Sequence, residues 1–367
     1  MRIANDDVSQ FLTKMVPYVN ADGARNLNKI SRELAIPYQT LRFRMMRLKA
    51  QGISILPLIS AESVGLERIR ASFKLSSDVS DLTTFFGGLH QSAGLHYYSR
   101  SLISQEFDAE FMIPAGTKPE LARLLNALSE MNILDNIVLR RLDWKEILVM
   151  KTRLYDYEHG QWDVDFSRLS SDPSLKIPTP NLSEEYDQTD LLIIKSLQID
   201  PWIKVVDLSK KFQITEGDIS YHLNRHVFGR GQVPGFRFRW IGTPEAWSKH
   251  SVLGVTLVFK EITEESFRRA MAIVTSNPFA WNHMRGEDGT YITEFLIPTS
   301  HLPETMQHLS ENFRKMELKP EMLFPDWAGS ASYTIPYLMH DKQAGWRFST
   351  EQSLAYILQM MKAYESK

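Results

Sequence analysis

EFMIPAGTKPE, residues 110–120, has a counterpart in EFLIPTSHLPE, residues 294–304. Six pairs are identical: Glu110/Glu294, Phe111/Phe295, Ile113/Ile297, Pro114/Pro298, Pro119/Pro303 and Glu120/Glu304. Downstream, Asp143-Trp144 matches Asp326-Trp327, and Tyr155 and Trp162 fall opposite Tyr337 and Trp346. Upstream, KISRELAIPYQTLRFRMMRL (29–48) matches DLSKKFQITEGDISYHLNRH (207–226) through Ser31/Ser209, Ile36/Ile214, Leu41/Ile219 and Arg47/Arg225. One such match arises easily by chance, but four in the same order describe a duplication. Its period, about 184 residues, is too long for a solenoid. Each half is therefore a multi-element unit.

Within each unit the periodicities are legible. A short helix (8–16; 190–198) precedes a second (26–35; 204–212), and a tight turn leads to a third. Pro37 occupies a first-turn position, where its missing N–H costs nothing. Thr215 and Asp218 have capping-box spacing. Leu41, Met45 and Leu48 recur at i, i+4 and i+7, as one buried face requires. A short hairpin follows (53–59; 233–242), completing a winged helix-turn-helix. Strand and helix then alternate as βαββαβ, the ferredoxin-like order, with two helices on one face of an antiparallel sheet. The predicted fold class is α+β: two tandem copies of a winged helix-turn-helix domain followed by a βαββαβ domain. The expected boundaries are 1–62 and 63–166 for the first copy, 167–186 for a linker, 187–245 and 246–348 for the second copy, and 349–367 for a C-terminal helix.

The linker is placed by composition. Residues 155–190 hold two Lys/Arg against nine Asp/Glu, in a segment rich in Ser, Pro and Asp that buries little apolar surface. Extended hairpins are expected at 150–166 and 330–348. In the last helix Leu354, Ile357, Met360 and Met361 should face inward. The sheet face away from the helices is expected to be apolar (Phe111 and Ile113, Phe295 and Ile297) and covered by the other copy. This predicts an intramolecular pseudo-dimer, with homo-oligomers also open to it.

Charge is uneven. The whole chain is near neutral at −2, yet no carboxylate occurs between Glu33 and Glu62, a window holding Arg42, Arg44, Arg47 and Lys49. The third helix of a helix-turn-helix enters the major groove of double-stranded DNA, where carboxylates are repelled by phosphates. Tyr38, Gln39, Arg42 and Met46 are the base-edge candidates, and Arg44, Arg47 and Lys49 suit phosphates. In the second copy the basic load sits on Arg225 and on the wing, Arg230, Arg237 and Arg239, from which arginines can enter a minor groove.

A winged helix-turn-helix followed by βαββαβ resembles the Lrp/AsnC (feast/famine) family of bacterial and archaeal transcription regulators. The resemblance is carried by KISRELAIPYQTLRFRMMRLKAQGI, whose closing Arg-x-x-x-Leu-x-x-x-Gly-Ile rhythm is typical of that family. It covers most of the chain, taken twice, whereas family members usually carry one unit and dimerise. The resemblance implies a cytoplasmic, sequence-specific DNA-binding regulator tuned by a small-molecule effector. The family's effector turn has its counterpart in Arg285, Gly286, Asp288 and Gly289, while the first half reads RSLISQEFD, without glycine. Some proteins resembling this family are haem-biosynthesis decarboxylases on the same two domains, with histidine and arginine around a tetrapyrrole. A non-DNA assembly scaffold is a third reading.

Zero cysteines exclude disulfides, thiolate metal sites and a cysteine nucleophile. No apolar run approaches the ~20 residues of a membrane span, so no membrane partner is expected. His222 and His226 have a metal-compatible i, i+4 spacing. They align with Arg44 and Leu48, however, and no third ligand stands near them in sequence, so neither metal nor cofactor is expected. His96 and His283 fall on corresponding strands, where a structural role is the commoner one. With no phosphate loop, nucleophile elbow or assigned carboxylate pair, the chain is expected not to be an enzyme.

Overall fold

The computed structural model describes residues 15–16, 18–19, 27–50, 54–76, 79, 81–149, 151, 154–156, 161–169, 185–239 and 252–365. Most of the helix expected at 8–16, most of the linker and the end of the second wing lie outside them. Among the described residues no helix is long and apolar enough to cross a membrane. The architecture is mixed, with helices around one large antiparallel sheet.

The first elements are α1 (Leu27–Glu33) and α2 (Tyr38–Ala50), followed by β1 (Ser54–Leu58). The turn between the helices is fixed chemically. The Ser31 hydroxyl donates to Ile36 O at 2.6 Å, and Ala35 takes a left-handed φ of 52°. Ser209 repeats this with Ile214 O at 2.7 Å, and Gln213 has φ 56°. The hydroxyl bonds explain why serine recurs, while the two isoleucines accept through the backbone and recur because their side chains pack against the same core.

Next come β2 (Leu66–Leu75), α3 (Leu82–Ala93), β3 (Leu95–Ser101), β4 (Phe107–Pro114), α4 (Lys118–Glu130) and β5 (Leu134–Ile147). The Asp81 carboxylate caps α3 by accepting from Thr83 N and Thr84 N. Gly94 ends that helix at φ 73°, where a Cβ would sit 2.2 Å from Met112 O, so glycine is required. Two short hairpin strands follow, β6 (Tyr155–Asp156) and β7 (Gln161–Trp162).

The second half runs α5 (Gln188–Ile199), α6 (Val205–Phe212), α7 (Glu216–Tyr221) and β8 (Gly235–Arg239). Asp187 and Asp190 close a capping box on α5. The Thr215 side chain accepts from Asp218 N, as their spacing predicts. Beyond α7 the chain widens into a π-helical segment, His222–Phe228. Then come β9 (Val252–Phe259), α8 (Glu264–Ser276), β10 (Ala280–Gly286), β11 (Tyr291–Pro298) and α9 (Leu302–Arg314). The chain finishes with β12 (Glu321–Leu323), β13 (Pro325–Ser332), the β14–β15 hairpin (His340–Asp341 and Gly345–Trp346) and α10 (Thr350–Glu365).

The sheet order is β12-β9-β11-β10-β5-β2-β4-β3-β13. β5 joins the halves: Ile69 pairs with Arg141 in its first part, and Asn282 pairs with Ile147 at its end. β12 and β13, at opposite ends of the row, are separated in sequence only by Phe324. The sheet therefore closes on itself. The arms cross as well. Tyr155, Trp162 and Phe166 pack into the second half's core, while Leu354, Ile357 and Met361 of α10 pack on the first half's helices.

Two expectations are corrected here. Among the described residues the wings pair with each other and not as separate hairpins, β1 with β8 along Ser54↔Arg239 to Leu58↔Gly235. Around this ribbon Ile30, Leu41 and Met45 share one core with Leu191, Ile194, Ile219 and Phe236. Likewise, Phe111, Ile113, Phe295 and Ile297 lie beneath the helices, not on the facing sheet surfaces. Strand alternation then sends their neighbours Glu110 and Glu294 inward. The enclosed face is charged.

Candidate functional site

The interior of the closed sheet is built from alternating positions of strands buried on both sides. β2 contributes Arg68 and Arg70, β4 contributes Asp108 and Glu110, and β5 contributes Lys145. From the other half come Asn282 on β10 and Glu294 on β11. Arg68 Nη1 donates to Glu110 Oε1 at 2.7 Å and its Nη2 donates to Ile59 O at 2.6 Å. Lys145 Nζ donates to Glu110 Oε2 at 2.5 Å. Arg70 Nε donates to Asp108 Oδ1 at 2.6 Å, and its Nη2 reaches Glu294 Oε1 of the other half at 2.6 Å. Asn282 Nδ2 holds the second Glu294 oxygen at 2.7 Å. Three cations face three carboxylates, which makes the enclosure tolerable.

The titration behaviour follows from this packing. Burial alone would raise the Glu110 carboxyl, but Lys145 and Arg68 outweigh it and hold it well below the usual range. Glu294 is lowered in the same way by Arg70 and Lys145. Asp108 goes the other way, burial raising it despite Arg70. Burial pushes the His96 imidazole down to about 4, with Glu110 opposing that shift. Its Nδ1 is enclosed without a hydrogen-bond partner among the described residues, although the side chain as a whole is only half-buried. Burial also raises the neighbouring Tyr97 hydroxyl.

Beside Arg70 and Asp108 a cavity of about 250 Å³ opens between the half-sheets. Ser72, Ser99, Ser101 and Thr256 line it with hydroxyls, and Val138, Val258 and Ile292 supply apolar wall. Arg140, Lys260, Glu106 and Glu321 also line it. Its volume falls just under the ~300–1,000 Å³ of ordinary ligand pockets, so it admits a small molecule or one arm of a larger one.

The residues singled out for DNA are dispersed. Tyr38, Gln39, Arg42, Met46, Arg47 and Lys49 are exposed on α2, and Arg44 is half-buried. Lys49 pairs with Asp200 at 3.2 Å and lies over Trp202. Arg225 is exposed, and Arg230 pairs with Glu185 at 2.5 Å. Arg237 is a correction. It is buried, stacks 3.3 Å from the Trp281 ring and donates to Leu148 O at 2.8 Å, because ribbon pairing turns it inward. The side chain of Arg239 lies outside the described residues.

In the turn formed by Arg285, Gly286, Asp288 and Gly289, the polar groups take partners within the fold. Arg285 pairs with Glu264 at 2.8 Å, and Asp288 takes Arg140 at 3.0 Å and Thr290 N. Gly286 N donates to Thr290 O, and Gly289 turns the hairpin at φ 78°. His283 lies under the helices, its Nε2 2.7 Å from Glu146 and its Nδ1 3.1 Å from the Tyr291 hydroxyl. The charged interior was the feature sequence reasoning missed. Its readable signal was charge at every second position of strands too apolar to face water, Arg68 and Arg70 against Asp108 and Glu110.

No protein-family model matches the chain, and no curated protein sequence does. Among solved structures, the siroheme decarboxylase NirDL is similar over 96% of this chain and 99% of its own, with a TM-score of 0.59 and 13% identity. The same enzyme in co-complex with an iron-uroporphyrin III analogue gives the same values. E. coli AsnC is similar over 41% of this chain and 99% of its own, with a TM-score of 0.32 and 9% identity. At 13% identity the likeness to NirDL is one of fold. The full-length match corrects the expectation of no enzymatic activity, because the fold that spans this chain is one on which an enzyme is built.

Proposed function

We propose that the chain is a tandem of winged helix-turn-helix and ferredoxin-like units acting as an enzyme of the siroheme decarboxylase type on a carboxylated tetrapyrrole. The observation carrying this reading is the cavity at Arg70 and Asp108, inside a fold similar to NirDL from end to end. Decarboxylating an acetate arm to methyl breaks the bond between its CH2 and its carboxylate carbon, releases CO2 and puts a proton in its place. It needs a cation to hold the carboxylate and a carrier for the proton, but no oxidant. Arg70 and the serine hydroxyls suit the first task. Asp108, whose carboxyl burial raises, suits the second. On this reading one arm enters the small cavity and the macrocycle stays at its mouth, beside Arg140 and Lys260.

Adding siroheme anaerobically to the full chain is expected to shift its Soret band and to yield products lighter by whole CO2 units. Arg140→Ala should weaken binding roughly 10–100-fold, the worth of one charge-assisted hydrogen bond. No band shift and no mass loss would reject the reading.

A regulator that binds double-stranded DNA is the second reading, favoured by the acid-free outer face of α2 with Arg42 and Arg47 exposed. Arg42→Ala and Arg47→Ala should each reduce the salt slope of duplex binding by about one. Anisotropy that stays flat with random duplexes at low salt would remove this reading and leave the first untouched.

A further inference from the structure

We propose that Asp187, Asp190, His222 and His226 form a binding site for a divalent transition metal, with zinc the best match. Absence of metal was expected for want of a third ligand, and α5 supplies two. His222 Nδ1 lies 2.9 Å from Asp190 Oδ1, and His226 Nδ1 lies 3.0 Å from Asp190 Oδ2. Asp187 Oδ2 stands 3.7 Å from His222 Nδ1. One donor atom from each of the four residues falls within 4.8 Å of all the others. Tetrahedral zinc with bonds of about 2.0–2.1 Å holds its ligands roughly 3.4 Å apart, so the two imidazole–Asp190 contacts would open by about half an ångström and the widest pair, now within 4.8 Å, would draw in.

Three further features point the same way. The histidines stand on the π-helical segment, and such wide turns are rare and concentrate at functional sites. Asp190 is fully buried, and Asp187 N donates to its Oδ2 at 3.1 Å, so the capping box fixes that carboxylate before any ion arrives. Tyr221 flanks both imidazoles, with centroids 5.7 and 5.3 Å away. Two imidazoles and two carboxylates are a nitrogen–oxygen set that suits zinc. A bound ion would neutralise both carboxylates and clamp the start of α5 to the π-helical segment beyond α7. The site is separate from the cavity at Arg70, so it stands or falls independently of the proposed enzyme activity.

The test uses the full chain, stripped with a chelator and titrated with Zn²⁺, then with Co²⁺ as a spectroscopic probe. One equivalent of each metal should bind, the cobalt form should show the visible bands of a tetrahedral site, and zinc should raise the thermal midpoint. His222→Gln combined with His226→Gln should weaken zinc by about 100-fold or more. Asp187→Ser keeps the helix cap while removing a ligand, and should weaken zinc roughly tenfold even if the histidine variant fails to fold. Well under one equivalent bound by the unaltered chain would leave only a hydrogen-bonded network and overturn the proposal. Zinc affinity unchanged in Asp187→Ser would do the same.

Discussion

Replacing Glu110 by glutamine is expected to lower the free energy of unfolding by about 3–5 kcal/mol, read from urea denaturation at neutral pH. Volume is conserved, so no cavity contributes. The loss comes from two cations, Arg68 and Lys145, left facing an uncharged amide in the closed interior. Adding Lys145→Met should recover part of it, because one of the stranded charges goes with its partner. A loss below about 1 kcal/mol would mean that the interior is wet and the cluster screened. Acid should act like the mutation. The carboxyl is held below its usual range, so its contribution is complete above the unfolded value near ~4.3 and fades as pH falls through the lower folded value.

The sequence carried the fold further than it carried the site. The recurrence of Ser31/Ile36 in Ser209/Ile214, the caps and the amphipathic helices are local, and each is satisfied within a few residues. What the sequence did not disclose are pairings between the halves. No local pattern reveals that β1 takes β8 as its partner, or that β5 continues from β2 to β10. Because Arg237 lies on that ribbon, its burial could not be read from neighbours that include two other arginines. Asp187 and Asp190 were likewise noted only as part of an acidic stretch, since the helix packing that sets them against His222 and His226 is tertiary. Strand alternation, by contrast, was available. Glu110 and Phe111 must face opposite ways, so placing Phe111 on the exposed face put the charges under the helices, where no partner existed for them.

His96 supplies the second large effect. Its imidazole is pushed down to about 4 by burial, against about 6.5 in an unfolded chain. Between those values the unfolded chain binds a proton that the folded chain refuses, so stability must fall as pH drops from 6.5 towards 4. Above 6.5 the two states are equally unprotonated, and below 4 equally protonated, and the slope vanishes at both ends. The span is worth on the order of 2–4 kcal/mol. Three charged groups face the ring: Glu110 on β4 favours the proton, while Arg68 on β2 and Lys145 on β5 oppose it. Other groups titrate in the same range, so the readout is a difference. Unfolding free energies of the native chain and of His96→Gln, measured from pH 4 to 7, should diverge, the variant being the flatter. Parallel curves would mean that the ring is solvated and charges freely. A steeper native curve would instead leave a neutral imidazole at physiological pH, its Nδ1 enclosed beside the Glu110 cluster and open to a hydrogen bond with whatever enters the interior.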